Sequence, residues 1–164
     1  MKHARLFATL VLIIFVLTLT AASRRSRVKG NIEAIPEAQA QVEYSSAKSA
    51  ANRPFSDVVR VGNMLYLSGK LGTDSSGKLA AGGITAETKQ ALENIKAVLA
   101  SNGSSIDNVV KSTVMLADMK EWADMNSVYT TFFKKDRMPA RSAFGVTGLA
   151  LNARVEIECI ATVK

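Results

Sequence analysis

The sequence predicts an α+β fold in which two helices pack on one face of a mixed sheet. Three observations indicate this class. Two short apolar runs separated by turn residues open the folded region, two amphipathic segments follow at helical spacing, and a strictly alternating strand closes the chain. The predicted element order is hairpin, helix, strand, helix, strand and strand, and such an order is typical of α+β domains.

The hairpin is the first predicted element. A valine-rich run at 58–61 and a second apolar run at 64–67 flank the Gly-Asn pair at 62–63, which predicts the turn. The Ser-Gly pair at 68–69 ends the second strand. The Gly, Asp and Ser residues of 72–77 then predict a loop.

The first predicted helix has a start signal, an apolar face and a stop signal. Thr85 is predicted as its N-cap, with Glu87 in the first turn. Asn102-Gly103 predicts its end, and a strand is predicted around 108–117. The apolar residues that share one face of the helix are Ala91, Leu92, Ile95, Val98 and Leu99.

The second predicted helix opens at Asp118, with Glu121 three residues later as the partner in a capping box. Lys134-Lys135 follow at its C-terminal end, where the helix dipole favours positive charge. Its apolar stripe consists of Trp122, Met125, Tyr129, Phe132 and Phe133.

Two strands, 139–147 and 153–163, are predicted to complete the sheet. If they form an antiparallel hairpin, Arg141 faces Glu156 across them. An ordinary cross-strand ion pair explains such neighbours as well as a binding site does. The last strand alternates, so one face is apolar and the other carries Glu156 and Glu158. Because helices can cover only one sheet face, the other face predicts an oligomer.

The N-terminal region has a different composition from the rest. An uncharged apolar run at 6–22 has basic residues on both flanks, so 1–22, here called the leader, is predicted to be a membrane anchor or a secretory signal. The predicted location is therefore the membrane, or a secreted or periplasmic one. A mitochondrial presequence is the alternative, since the first 32 residues lack acids. A tether is predicted at 23–41 and the globular domain at 42–164.

The charge is unevenly distributed. Of the formal net charge of +7, residues 1–30 supply six basic and no acidic side chains. Residues 31–164 carry 15 basic and 14 acidic side chains, which leaves +1. A nearly neutral domain argues against nucleic-acid binding through bulk charge.

Histidine and cysteine usage restricts the chemistry. The single histidine, His3, lies in the leader, so the predicted domain has none. This excludes Ser–His and Cys–His nucleophile pairs, histidine zinc ligands and a histidine base from the domain. The single cysteine, Cys159, cannot close an intrachain disulfide, and its place among apolar residues predicts a core position.

A set of motifs points to one family. The run Pro-Ala-Arg-Ser at 139–142 is followed by Glu-Ile-Glu at 156–158, fifteen residues after the arginine. This signature resembles the RidA family of reactive intermediate (enamine/imine) deaminases, also called YjgF-type, and the similarity covers about 42–164. The other matching segments are Val61-Gly62-Asn63-Met64, Leu67-Ser68-Gly69, Gln90–Ile95, Val110–Val114 and Asn126–Phe133.

The resemblance implies a chorismate-mutase-like fold and a homotrimer with clefts between its subunits. It implies hydrolysis of 2-imino acids, formed from reactive enamines, to 2-keto acids and ammonia, with no cofactor. Arg141 would bind the substrate carboxylate through its bidentate fork. Glu156 would position or deprotonate the attacking water.

The resemblance also implies that Ser68, Asn126, Ala143 and Phe55 contact substrate. A hydroxyl bound to backbone is the alternative for Ser68, and a local helix contact is the alternative for Asn126. Phe55 and Ala143 replace a Tyr and a Cys that are common in the family, and Lys70 replaces a common Gln. Substrate preference and rate therefore stay open.

Two other functions are left open by the sequence. One is a non-catalytic trimeric module that binds small carboxylates or a partner protein. The other is an RNA-acting translation inhibitor, which the domain's charge disfavours. The expected partners are a small 2-imino or 2-keto acid and further copies of the chain, with no nucleic acid, and a membrane through the leader.

Overall fold

The computed structural model describes residues 40–46 and 53–163. The predicted leader and nearly all of the predicted tether, 23–41, lie outside these ranges. In chain order the elements are β1 (Val42–Ser45), β2 (Val58–Val61), β3 (Met64–Leu67), β4 (Lys70–Leu71), α1 (Gly83–Ser101), β5 (Val109–Leu116), α2 (Trp122–Tyr129), β6 (Ala140–Gly145) and β7 (Val155–Thr162).

The strands of the described residues form one mixed sheet in the order β1-β2-β3-β7-β5-β6, with β4 also paired to β7. Strands β5 and β6 run parallel, and the other pairs are antiparallel. Helix α1 packs against β7, β4 and α2. The predicted α+β fold, with two helices on a mixed sheet, is confirmed.

The core lies between the helices and one face of this sheet. The predicted apolar face of α1 is buried, and Leu92, Ile95 and Leu99 are fully enclosed. They meet the inward side chains of β5 and β7, among them Val114 and Ile157. Burying each such side chain contributes about 1.5–3 kcal/mol to folding.

Helix α1 begins earlier than predicted. Gly82 is its N-cap and Thr85 lies inside it, so the prediction of a Thr85 cap is wrong. Gly82 and Gly83 have φ of +123° and +69°, and these glycines turn the chain into the helix. Glu87 does not act in the first turn. Its buried carboxylate instead accepts a hydrogen bond from the Arg154 backbone N–H at 2.8 Å.

The second helix is shorter than predicted. Asp118 does cap a helical start, because its carboxylate accepts from the Lys120 N–H at 2.9 Å, but the segment it caps is a 3₁₀ turn, Met119–Glu121. Glu121 forms an ion pair with Arg154 instead of completing a capping box. Helix α2 ends at Tyr129, before Lys134. The predicted stripe is buried at Met125, Tyr129 and Phe133 and half-exposed at Trp122.

The predicted hairpin between the last two strands is wrong. β6 pairs with β5, which places Arg141 beside Ser112. β5 also pairs with β7, which places Glu156 beside Met115. The physical reason is the crossover through α2, which returns the chain parallel to β5 and places β6 at the sheet edge. The connection 146–154 then carries the chain past β5 to its other side.

The face of the sheet opposite the helices is called the open face. Residues paired across neighbouring strands share a face, so the rows Tyr44–Val59–Tyr66–Ile160 and Glu156–Met115–Phe144 belong to it. Tyr44 is 73% exposed and Phe144 is 45% exposed. An open face that combines apolar groups with Glu156 and Glu158 matches the predicted uncovered side of the sheet.

Candidate functional site

Arg141 and Glu156 lie on opposite faces of the sheet. Arg141 shares a row with Ser112 and Cys159, whose side chains are buried on the helix-covered face. Glu156 lies on the open face. One chain therefore does not bring these two predicted site residues together around one small substrate.

Aromatic rings of α2 hold the Arg141 guanidinium. Its Cζ atom lies over the Tyr129 ring, 4.5 Å from the centroid, and 5.7 Å from the centroid of the Trp122 ring. Attraction between a guanidinium and the face of an aromatic ring acts at such distances. Within 40–46 and 53–163, Arg141 has no carboxylate or hydrogen-bond partner. Its N–H donors are therefore available to a ligand.

The floor beneath Arg141 is aromatic and contains buried hydroxyls. The Tyr129 ring packs on Phe133 with centroids 4.7 Å apart. Neither the Tyr129 nor the Ser112 hydroxyl has a hydrogen-bond partner of normal geometry among the described residues. Burial raises the pKa of Tyr129, and the nearby Ser112 hydroxyl and the Arg141 charge offset part of that increase.

Cys159 belongs to the same floor. It is buried, as predicted, with 2% exposure. Burial raises the pKa of its thiol to about 12, and the Ser112 hydroxyl only partly offsets this. Because the thiolate is the reactive form of cysteine, this shift disfavours a role for Cys159 as a nucleophile.

Glu156 lies between two strands and above a glycine. It pairs with Leu71 of β4 on one side and Met115 of β5 on the other. Its carboxylate occupies the space beside Gly69, where a Cβ would lie 2.8 Å from the Glu156 Cδ atom. Partial burial, and then the negative charge of Glu158, raise the pKa of Glu156 above its ordinary value. Such a shift suits a carboxylate that exchanges protons with substrate.

Two of the other predicted contact residues, Ala143 and Asn126, lie near Arg141. Ala143 lies two residues beyond Arg141 on the same face and packs against the core. Asn126 is half-buried in α2, one turn after Trp122, and its side chain has no hydrogen bond in the described part of the chain. Both are neighbours of the Arg141 region.

Ser68 and Phe55 lie elsewhere. The Ser68 hydroxyl donates to the Ser56 carbonyl at 2.6 Å, which is the backbone contact weighed as its alternative. Phe55 is 51% exposed, and the Arg53 guanidinium lies 5.9 Å from its ring centroid. Lys70 forms a shielded ion pair with Asp57, which Arg53 also approaches at 3.3 Å.

Two features were missed by sequence reasoning. Trp122 and Tyr129 were assigned to the helix core, although their spacing of seven residues places both on one helix face, two turns apart. Gly69 was interpreted as a strand end, and its role beside Glu156 depends on β4 pairing with β7. No group of three or more His, Cys, Asp or Glu in the described ranges is arranged to hold a metal ion.

The comparisons with known proteins agree with this fold. Residues 45–163 match the family model described as Endoribonuclease L-PSP. A mouse protein named 2-iminobutanoate/2-iminopropanoate deaminase is 46% identical over 113 residues, which cover 68% of this chain and 83% of that protein. The crystal structure of yeast Mmf1 aligns with a TM-score of 0.66 at 36% identity, over 76% of this chain and 97% of that one.

The predicted membrane, secreted or periplasmic location is wrong on these findings. Among the residues that the structure describes, no helix has the length and apolarity needed to cross a bilayer. The segment behind that prediction, 6–22, lies outside them. A relative from Arabidopsis thaliana is named Reactive Intermediate Deaminase A, chloroplastic; it is 37% identical over 77% of this chain and 73% of that protein.

The yeast protein is named as mitochondrial, and with the Arabidopsis name this fits only the mitochondrial alternative among the predicted locations. The family prediction, in contrast, is confirmed. The chain belongs to the Endoribonuclease L-PSP family, the RidA (YjgF-type) family that its sequence motifs resemble, and curated relatives in this family are named as deaminases.

Proposed function

We propose that this protein hydrolyses 2-imino acids to 2-keto acids and ammonia. The observation that carries the proposal is Arg141, whose guanidinium is held by aromatic rings while its N–H donors have no partner in the described ranges. A planar fork with free donors fits a carboxylate in bidentate geometry. The relatives named 2-iminobutanoate/2-iminopropanoate deaminase act on small molecules with such a group.

The reaction adds one water and releases one ammonia. Water attacks C2 of the protonated C=N bond and forms a tetrahedral carbinolamine. Glu156 accepts a proton from that water and returns it to the nitrogen. The C–N bond then breaks and its electrons leave with ammonia. The remaining hydroxyl proton passes to Glu156 as the oxygen forms the carbonyl of the 2-keto acid, and Glu156 gives that proton to the departing ammonia, which leaves as ammonium. The raised pKa of Glu156 makes its carboxylate a better proton acceptor in this exchange.

We further propose that the site is completed between chains of a homotrimer. Arg141 and Glu156 lie on opposite faces of one sheet, so a substrate that touches both needs Glu156 from a second copy. The exposed apolar side chains of the open face, among them Tyr44, Tyr66 and Phe144, support packing of this face against another chain.

The first experiment measures imine hydrolysis directly. 2-Iminopropanoate is generated enzymatically, and its loss and the formation of pyruvate are followed with the full-length chain. Arg141→Ala is expected to lose about 10²-fold in kcat/KM, because two charge-assisted hydrogen bonds to substrate disappear. Arg60→Ala is the matched control, since the Arg60 Nε donates to the Gly62 carbonyl of its own turn. Equal rates for wild type and Arg141→Ala would overturn the assignment.

A second experiment tests the shared site. Arg141→Ala and Glu156→Gln, each expected to be strongly impaired alone, are produced together in one cell so that mixed trimers form. If each site takes its arginine and its glutamate from different chains, about a quarter of the sites in a random mixture are intact. Recovery of activity is expected. Its absence from proven mixed trimers would show that the site is not shared.

The two alternative functions can be tested with the same purified protein. Binding of 2-keto acids without turnover would favour a non-catalytic carboxylate-binding module. Cleavage or retention of RNA would favour the activity in the family model's description.

A further inference from the structure

The way Arg141 is anchored has a consequence for binding. A carboxylate partner would neutralise the guanidinium and occupy the N–H donors that lie in its plane. An aromatic ring attracts the cation over the ring face without neutralising its charge, and a guanidinium that stacks on such a ring keeps its in-plane donors free. Arg141 has only aromatic partners among the described residues, at 4.5 and 5.7 Å. Its surroundings therefore fix the side chain without competing with a ligand.

The two rings have different positions. Tyr129 is buried, with 3% exposure, and rests on Phe133, so it forms a fixed floor. Trp122 is 38% exposed and begins α2, two helical turns before Tyr129, or about 10 Å along the axis. Since the Arg141 Cζ atom is near both centroids, the guanidinium bridges the two rings.

The position of Trp122 is itself determined by its neighbours. The Asp118 carboxylate caps the 3₁₀ turn that precedes it, and Glu121 is held by an ion pair with Arg154. These contacts fix where α2 begins and hence where the indole stands. The indole therefore has a defined position beside Arg141, although it is too exposed to belong to the core.

We propose that Trp122 is a positioning residue for carboxylate binding: with Tyr129 it holds the Arg141 guanidinium over the ring faces and leaves N–H donors to the substrate. The inference rests on the proposed function of Arg141. It assigns Trp122 an effect on substrate affinity and none on the proton-transfer step, which belongs to Glu156.

The test compares Trp122→Leu with Trp122→Phe in the full-length chain. Trp122→Leu removes the ring and is expected to raise KM for 2-iminopropanoate, and Kd for 2-oxobutanoate measured by calorimetry, about three- to tenfold. kcat is expected to stay within about twofold, because the ring acts before the chemical step. Trp122→Phe restores a ring face and is expected to bring KM and Kd to within about twofold of wild type.

A double-mutant cycle separates positioning from direct contact. Arg141→Gln keeps a polar side chain, two bonds shorter, with no charge to attract the ring. In that background Trp122→Leu is expected to change Kd by less than about twofold, since it has no cation to position. The same loss in both backgrounds would show that the indole touches the ligand itself and would overturn the proposal. An unchanged KM and Kd in Trp122→Leu alone would overturn it as well.

A failure of the proposed deaminase function can be distinguished from a failure of the proposed role of Trp122. If the wild type hydrolyses no imino acid, the deaminase proposal fails, while the Kd comparison with 2-oxobutanoate still decides the role of Trp122. Trp122 is also the single tryptophan of the chain. Its emission is therefore expected to change on ligand binding in the wild type and to stay constant in Arg141→Ala.

Discussion

The two faces of the sheet surround their charged side chains, Arg141 and Glu156, with opposite kinds of environment. On the helix-covered face, Arg141 lies over the rings of Trp122 and Tyr129 and keeps its positive charge and donors available. On the open face, Glu156 is partly buried beside Gly69 and close to Glu158, so its negative charge is disfavoured and its pKa is raised. One face is suited to hold an anion, and the other to bind and release a proton.

The largest effect is expected from removing Glu156, the proposed proton carrier. Glu156→Gln is expected to lower kcat by about 10²–10⁴-fold, because the amide cannot accept a proton from water. KM is expected to change little, since Arg141, the proposed carboxylate-binding residue, is unchanged. Steady-state kinetics with 2-iminopropanoate measure both constants. A large rise in KM with normal kcat would assign Glu156 to binding instead of chemistry.

A smaller loss is expected from moving Glu156 without changing it. In Gly69→Ala the new Cβ would overlap the carboxylate, which must shift, and kcat is expected to fall about 10- to 10²-fold. Gly148→Ala is the matched control, because a Cβ there meets nothing within 4 Å. If both variants keep wild-type kcat, the position of the Glu156 carboxylate does not limit the reaction.

Lys70 and Arg141 both lie on the helix-covered face, and comparing them sharpens the comparison further. Lys70 is neutralised by Asp57, whereas Arg141 is not neutralised within the described ranges. Lys70→Met is expected to lower the free energy of unfolding by about 1–3 kcal/mol, less than a fully orphaned buried charge because Arg53 stays near Asp57. Lys96→Met, which breaks an exposed pair with Glu93, is expected to cost under about 0.5 kcal/mol.

Urea unfolding at one fixed protein concentration measures both lysine variants. Equal stability of the two variants would show that the shielding of the Lys70–Asp57 pair has no energetic consequence.

The smallest expected effect concerns pH. The activity of a carboxylate base falls as pH drops through its pKa, and the Glu158 charge is the second cause that raises the pKa of Glu156. Glu158→Gln removes this repulsion, so the pKa of Glu156 decreases and the acid limb of kcat/KM is expected to move to lower pH. Glu93→Gln, on the surface of α1, is the control that leaves the limb in place.

Local patterns in the sequence were sufficient for several elements. The valine-rich run and the Gly-Asn pair predicted β2, β3 and their turn, and Gly62 has the positive φ, +58°, that such a turn requires. The apolar face of α1 and the alternation of β7 were also predicted, because both depend on periodicities of a single segment. The start of α1 was predicted wrongly, because the two glycines that turn the chain come before the residue with the better capping side chain.

The strand that pairs with β6 could not be predicted from such local patterns. Its residues were predicted as a strand, and β6 does include Arg141, but its partner is β5 and not β7. The predicted contact between Arg141 and Glu156 was therefore wrong for one chain. The error concerned only the neighbour of a strand, yet it moved the two side chains to opposite faces.

The sequence by itself determined the types and order of most elements, the buried stripes of the helices, and the presence of an arginine and a glutamate at family spacing. Only the tertiary structure decided which strand lies beside β6, which rings hold Arg141 and which glycine leaves room for Glu156. The physical reason is that periodicity and turn chemistry act within a few residues of the chain. Strand pairing and side-chain contacts join distant segments, and the energy of burying the whole sheet selects among them.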